Sequence, residues 1–134
     1  KGCELDKDMA KLMIDEFPIL SIAASFANSP SVFKGLKELK IKESNRLELI
    51  KYNLDNCGIY CEINNDDLLI DPTKKLSCKS NIIKTNFDHR IAMAFAIMGT
   101  KLAIDLRIED SEYIKTSFPE FNKVINSLGG NLNG

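Results

Sequence analysis

Two stretches of the chain are apolar on nearly every face at helical spacing. Residues 14–28 form the first stretch, and the sequence Asn28-Ser29-Pro30 ends it because proline disfavours helical geometry in the residue before it. Residues 88–100 form the second stretch. A helix that is hydrophobic nearly all round is typically a buried one. Both segments are therefore predicted to be helices inside the protein.

Two further segments carry a single apolar stripe. Residues 43–57 and residues 118–128 place their large aliphatic side chains on one side of a helix, and charged side chains occupy the rest. Gly58 follows the first segment and Gly129-Gly130 follows the second, where a C-terminal cap belongs. The pattern predicts two amphipathic helices with glycine stops.

Short runs with alternating apolar and polar positions predict strands between these helices. One pair lies on either side of Gly35, another pair forms a hairpin around a polar tetrapeptide, and a polar loop over residues 71–80 follows the hairpin. The strands are predicted at residues 31–34, 36–41, 59–63, 68–70 and 103–108.

The order of these segments repeats along the chain. Asp15 opens the first buried helix, and Asp88 opens the second one 73 positions later. Each buried helix is followed by a strand, an amphipathic helix and a glycine stop. The repeat predicts an α+β fold of two similar units, at about residues 1–71 and 80–134, whose buried helices pack together.

Composition restricts the classes of function. The 134 residues are 44% hydrophobic and 28% charged, with a formal net charge of -1, which is ordinary for a globular domain. Such a charge offers no general attraction for nucleic acid or an anionic membrane, so any anion site must be local. The longest apolar run, residues 91–99, is far shorter than the roughly 20 residues of a membrane span. No nucleic-acid or membrane partner is predicted.

The ends and the cysteines indicate a cytoplasmic setting and no metal. No secretory segment opens the chain, and Lys1 at the first position suggests a sequence that begins inside a longer one. The four cysteines form no CxxC pair, and one histidine cannot complete a zinc set with them. Reduced, structural thiols are expected.

Three clusters combine charges with a predicted helix start. In the first, Asp15 at the beginning of a buried helix is either an N-cap or a carboxylate that holds or deprotonates a hydroxyl. In the second, Lys42, Glu43 and Arg46 share one face if the helix begins at Lys42. A helix N-terminus with a lysine and an arginine is suited to bind phosphate or carboxylate. The same residues are also typical of ion pairs at helical spacing on a solvated face.

The third cluster is Asp88-His89-Arg90, directly before the second apolar helix. An arginine at that depth needs an anionic partner, which is either Asp88 or a ligand anion. His89 is either a proton carrier or a structural residue. A weaker group, Lys115-Thr116-Ser117, resembles a helix cap, and Lys115 could extend the basic patch.

Together these clusters resemble the EPSP synthase family, whose bacterial signatures read close to MIDEFP, KESDRL, DHRIAM and TSFPEF. The matching segments occur here in the same order and cover essentially the whole chain: residues 13–18, 42–47, 88–93 and 116–121. The resemblance implies βαβαββ units around buried helices, of which this chain holds the last two of a C-terminal domain. It also implies transfer of the enolpyruvyl group of phosphoenolpyruvate to the 5-hydroxyl of shikimate 3-phosphate, in chorismate and aromatic amino acid biosynthesis, without a cofactor.

The resemblance assigns roles to individual residues. Asp15 corresponds to the aspartate that contacts the shikimate hydroxyls and accepts a proton, and Lys42 to the lysine that binds shikimate 3-phosphate. Glu43 corresponds to the acid that moves a proton at the enolpyruvyl methylene. Arg46 and Arg90 correspond to the pair that clamps phosphoenolpyruvate.

Some features depart from the family pattern. Asn45 replaces an aspartate, which predicts an altered supporting contact to the arginines, and Thr116 replaces a lysine found in some members, with Lys115 beside it. Counterparts of the family's N-terminal substrate-binding groups are missing. The resemblance therefore implies a partner, the N-terminal part of the same enzyme. The alternatives are the related transferase acting on UDP-N-acetylglucosamine and a non-catalytic relic.

Overall fold

The computed structural model describes all 134 residues, with six short strands and five α-helices. The strands are β1 Glu4–Leu5, β2 Ser31–Phe33, β3 Ile59–Asn64, β4 Asp67–Lys75, β5 Ile82–Ile83 and β6 Arg107–Ile108. The α-helices are α1 Lys7–Leu12, α2 Phe17–Ser25, α3 Arg46–Asn56, α4 His89–Gly99 and α5 Phe121–Ser127. Three 3₁₀ segments, Ile14–Glu16, Lys37–Ile41 and Ser111–Thr116, join them.

The strands form two sheets, and the mixture of elements confirms the α+β class. The larger sheet has the order β1-β2-β4-β3, in which β1 and β2 are parallel and the other neighbours are antiparallel. β5 and β6 form a separate parallel pair. The predicted hairpin is therefore confirmed as β3 and β4, joined by a tight turn in which Asn65 has a positive φ of 56°.

The core lies between the two apolar helices and the larger sheet. α2 packs against α4 and against β4, and α3 packs against β3. Phe17 and Phe33 meet edge to face at 5.2 Å between ring centroids, and Phe95 and Leu47 are completely buried in the same cluster. The far side of α4 packs against Ile114 and against α5. Burial of these apolar side chains is the main force that fixes the helix ends in space.

One face of α2 remains uncovered, which the prediction of a helix buried on all sides did not anticipate. Ile19, Ala23 and Phe26, spaced four and three residues apart, lie on this face, and Ile19 and Phe26 are each 39% exposed. No helix of the structure is long and apolar enough to span a membrane.

Four predicted boundaries were wrong. Residues 36–41 form a 3₁₀ turn instead of a strand, because Leu36 and Leu39, three positions apart, both become completely buried that way. The first half of the predicted polar loop at 71–80 is strand, since β4 continues to Lys75. The strand predicted at 103–108 is only the two residues of β6, and α5 begins three residues late.

A fifth difference concerns the start of α3. Its first helical residue is Arg46, because the side chain of Asn45 accepts a hydrogen bond from the backbone N–H of Glu48 at 3.2 Å and caps the helix. Lys42, Glu43 and Ser44 precede the helix in a bend, so the charges of this cluster do not share a helical face.

Candidate functional site

The N-terminal ends of α2, α3 and α4 meet, and each end carries charged side chains of one predicted cluster. Asp15 lies in the 3₁₀ turn before α2, and Arg46 is the first residue of α3. Asp88 is the N-cap of α4, and Arg90 lies in the first turn of that helix. Helix N-termini favour negative charge, so this arrangement suits carboxylates and anions. The structure thus joins all three clusters in one place.

Arg46 is the centre of the group, and its side chain is only 1% exposed. Its Nε donates to Asp88 Oδ2 at 2.8 Å, and its Nη2 donates to Asp88 Oδ1 at 3.3 Å. Nη1 donates to Asp15 Oδ1 at 3.1 Å, and Nη2 also donates to Glu43. Four of the five N–H groups of a guanidinium therefore have carboxylate partners. The buried positive charge is fully compensated.

Asp88 combines two tasks in a single buried carboxylate. It caps α4 by accepting from the backbone N–H groups of Arg90 and Ile91, at 3.0 and 3.4 Å. It also holds Arg46 and accepts a hydrogen bond from Ser44 Oγ at 2.7 Å. Burial alone would raise the pKa of Asp88, but the hydrogen bonds from Arg46 and Ser44 outweigh it, and the pKa lies below its ordinary value.

Asp15 connects three cations. Its Oδ1 lies 3.2 Å from Lys42 Nζ and 3.1 Å from Arg46 Nη1, and its backbone carbonyl accepts from Arg90 Nη1 at 3.1 Å. Burial raises the pKa of Asp15, yet the hydrogen bond from Lys42 and the charges of Lys42, Arg90 and Arg46 lower it more, so its pKa falls below the ordinary value. Asp15 therefore stays ionised to a lower pH than an ordinary aspartate.

Arg90 is the most accessible cation of the group. Its side chain is 37% exposed, and its nearest carboxylate is that of Glu16 at 3.7 Å. The prediction that Arg90 lies at depth and that Asp88 could be its partner is therefore wrong: Asp88 pairs with Arg46, and Arg90 reaches outward past Asp15.

Other predictions for this region also change. Asp15 is not an N-cap, because α2 follows the 3₁₀ turn without any side-chain cap. Asn45 caps α3 and makes no hydrogen bond to either arginine, and the altered supporting contact stays a prediction. Lys115 is exposed on the 3₁₀ segment Ser111–Thr116 and forms no ion pair. Its membership of the site stays a prediction.

The part that Ser44 plays could not be predicted from the sequence. Ser44 lies inside a recognised cluster, but only the fold brings its hydroxyl to Asp88, 44 positions away. No group of three or more histidine, cysteine or acidic side chains is arranged to hold a metal ion. Two cavities, of about 450 and 490 Å³, lie elsewhere and contain none of the charged residues of this cluster.

Comparison with solved structures defines the class of fold. An EPSP synthase from Acinetobacter baumannii, solved at 2.37 Å, superposes with a TM-score of 0.86 and 36% sequence identity over 95% of this chain. A second EPSP synthase structure from the same organism gives a TM-score of 0.85 over the whole chain. The match covers about 30% of each solved chain.

Sequence comparison then identifies the family. The family model for EPSP synthase (3-phosphoshikimate 1-carboxyvinyltransferase) matches residues 3–125. Proteins named 3-phosphoshikimate 1-carboxyvinyltransferase from Paramagnetospirillum magneticum and Rhizobium johnstonii are 41% and 38% identical over 100% and 98% of this chain. The chain belongs to the EPSP synthase family. It spans about 30% of the length of these relatives.

Proposed function

We propose that this chain supplies part of the active site of an enzyme that transfers the enolpyruvyl group of phosphoenolpyruvate to the 5-hydroxyl of shikimate 3-phosphate, with release of phosphate. The observation that carries the proposal is the convergence of Lys42, Arg46 and Arg90 on Asp15. Both substrates are small and strongly anionic, and cations held in a fixed arrangement neutralise and orient such molecules.

The carboxylates have separate roles in this proposal. Asp15 is ionised and hydrogen-bonded to Lys42, so in this arrangement it is a good acceptor for a shikimate hydroxyl and a weak base. When Lys42 turns to the phosphate of shikimate 3-phosphate, Asp15 loses a partner and becomes a stronger base. Glu43, whose side chain is 52% exposed, is available to move a proton at the methylene carbon.

The two arginines are unequally available to phosphoenolpyruvate. Arg90 has free N–H groups and an exposed guanidinium, so it provides the accessible half of a clamp. Arg46 remains hydrogen-bonded to Asp88 on its buried side. Its Nη1 and Nη2 groups contact the partly exposed carboxylates of Asp15 and Glu43, and a substrate anion competes with these carboxylates for those two groups. An incoming anion is thus expected to displace these two acids from Arg46 and leave them beside the reacting atoms.

The chain on its own is an incomplete enzyme in this proposal, and its partner is the remainder of the same enzyme. The chain spans about 30% of its relatives, and the uncovered apolar face of α2 supports a further element packed against it. We propose further that residues 1–71 and 80–134 are two copies of one unit, supported by the packing of α2 against α4. Cys57 and Cys61 are buried free thiols, which supports the cytoplasm as the compartment.

Phosphate release tests the proposed activity. The assay uses phosphoenolpyruvate and shikimate 3-phosphate with this chain alone and with the complete protein that carries it. We expect turnover only from the complete protein, because positioning requires groups on both sides of a cleft. Robust turnover by the lone chain would contradict the assignment of half a site. Binding of UDP-N-acetylglucosamine in place of shikimate 3-phosphate would favour the related transferase.

A matched pair of arginine variants tests the clamp. Arg90→Ala in the complete protein is expected to raise the KM for phosphoenolpyruvate by about 10²-fold or more, through loss of a charge-assisted contact. Arg107→Ala removes the same side chain from β6, outside the cluster, and is expected to leave the KM unchanged. An Arg90→Ala change that lowers stability but leaves the binding of phosphoenolpyruvate unaltered would favour a non-catalytic relic.

A further inference from the structure

We infer that Ser44 and Asp88 are positioning residues, which set the orientation of Arg46 relative to Arg90 without touching substrate. The inference rests on the proposed function, because it concerns the spacing of the two guanidinium groups that would clamp phosphoenolpyruvate. Both residues contact Arg46 from the side that faces the protein interior: Asp88 is completely buried, and Ser44 is partly buried.

The two oxygens of Asp88 connect elements that are distant in sequence. Oδ1 accepts the backbone N–H groups at the start of α4, including that of Arg90 at 3.0 Å. Oδ2 accepts Arg46 Nε at 2.8 Å, and Arg46 Nη2 reaches Oδ1 at 3.3 Å. One rigid carboxylate thereby fixes the backbone of Arg90 and the guanidinium plane of Arg46. The separation of the clamp's two halves depends on this group.

Ser44 restrains the same carboxylate from a third direction. Its hydroxyl donates to Asp88 Oδ2 at 2.7 Å, and its backbone carbonyl accepts from the backbone N–H of Arg46 at 2.9 Å. Ser44 thus holds the residue that carries the guanidinium and also the carboxylate that orients it. Without the hydroxyl, Oδ2 loses one of its restraints, so the carboxylate and the guanidinium that it holds can shift further.

Arg46 also has two carboxylate partners that are partly exposed to solvent, so it needs a buried partner to keep one orientation. Glu43 and Asp15 are 52% and 44% exposed, and both attract the guanidinium toward solvent. Only Asp88, on the buried side, holds Arg46 by two donors in a planar fork, which fixes an orientation as well as a charge. A misplacement of about 1 Å costs on the order of 10²-fold in a positioned reaction.

Three substitutions in the complete protein test the inference. Asp88→Asn keeps the shape and the ability to cap α4 but removes the charge that holds Arg46. Ser44→Ala removes the hydroxyl, and Ser44→Thr keeps it. We expect the KM for phosphoenolpyruvate to rise about 10²-fold in Asp88→Asn and roughly 10-fold in Ser44→Ala. Ser44→Thr is expected to restore the value, and the KM for shikimate 3-phosphate should change less than about 2-fold throughout.

Ser25→Ala provides a structural control. Ser25 is buried in α2, and its hydroxyl donates only to the backbone carbonyl of Ser21. This variant should lower the melting temperature without a selective change in either KM. The inference is overturned if Ser44→Ala raises both KM values equally, or if it behaves like Ser25→Ala, or if Ser44→Thr fails to restore the phosphoenolpyruvate KM.

A binding series separates this inference from the proposed function. If the unsubstituted complete protein releases no phosphate from the two substrates, the proposed function fails. The same variants are then titrated calorimetrically with phosphoenolpyruvate and with inorganic phosphate. A weaker affinity for these anions in Ser44→Ala, restored in Ser44→Thr, still supports the positioning role, and unchanged affinity refutes it.

Discussion

Replacing Arg46 by methionine isolates the free energy held in the buried ion pair at the centre of the site. Methionine keeps an unbranched stem of similar length and removes the charge. Asp88 then remains completely buried, with Ser44 and the α4 backbone amides as its only partners. Breaking a buried ion pair by removing one partner costs about 3–5 kcal/mol, because a charge is left without compensation. Glu43 and Asp15 are partly exposed, so their lost contacts add only about 0–1 kcal/mol each.

The loss of unfolding free energy in Arg46→Met depends on pH, and the direction of that dependence follows from the lowered pKa of Asp88. In the unsubstituted protein the contribution of Asp88 is present above the ordinary carboxyl pKa of about 3.9, and it is lost as the pH falls through the lowered folded-state value. In Arg46→Met the pKa of Asp88 rises, since burial is no longer opposed by the arginine. The difference in unfolding free energy between the two proteins is therefore expected to be largest at neutral pH and to shrink toward pH 3.

Urea unfolding followed by circular dichroism at several pH values measures this difference. The double variant Arg46→Met with Asp88→Asn serves as the control, because it removes the uncompensated charge and retains the cap of α4. The double variant should be more stable than Arg46→Met alone. A loss below about 1 kcal/mol at neutral pH, or a double variant less stable than the single one, would refute the account of the pair.

Gly58→Ala is expected to destabilise the protein by more than about 1 kcal/mol, because Gly58 has a φ of +83° and a new Cβ would lie 2.7 Å from the carbonyl oxygen of Leu76. Gly129→Ala has a similar positive φ with open space around it, so thermal melting should show a smaller loss there, and equal losses would contradict the steric reasoning. Burial raises the pKa of Cys61 to about 12, whereas Cys3 is exposed. Iodoacetamide labelling at pH 8, read by mass spectrometry, should therefore modify Cys3 well before Cys61, and the opposite order would contradict the buried placement.

Elements with strong local signals could be predicted from the sequence. The apolar runs of α2 and α4 are bounded by proline or by an acidic cap, and the β3–β4 hairpin is marked by a polar turn. The 3₁₀ segment Lys37–Ile41 was missed because, over only five positions, its apolar residues fit both the alternating pattern of a strand and the three-residue spacing of a 3₁₀ helix. The start of α3 was misplaced because Glu43, Ser44 and Asn45 all suit the first turn or the cap, and only packing selects Asn45.

The site was predictable as a set of residue types but not as a set of pairs. Asp15, Lys42, Arg46 and Arg90 all belong to sequence clusters that indicate anion chemistry, and the fold brings them together. The partnership of Arg46 with Asp88 spans 42 positions and arises from the way α3 and α4 approach each other. No local spacing distinguishes that arrangement from a pair formed by Asp88 and Arg90.

The row of Ile19, Ala23 and Phe26 on α2 has a practical consequence for handling the chain. Apolar side chains that meet water along one side of a helix attract any similar surface, including a second copy of themselves. Preparations of the 134 residues alone should therefore self-associate as their concentration rises, and sedimentation would show this as a growing fraction of oligomers. If the proposed partner, the remainder of a complete enzyme, packs on this row, production of the two together should yield a monodisperse protein.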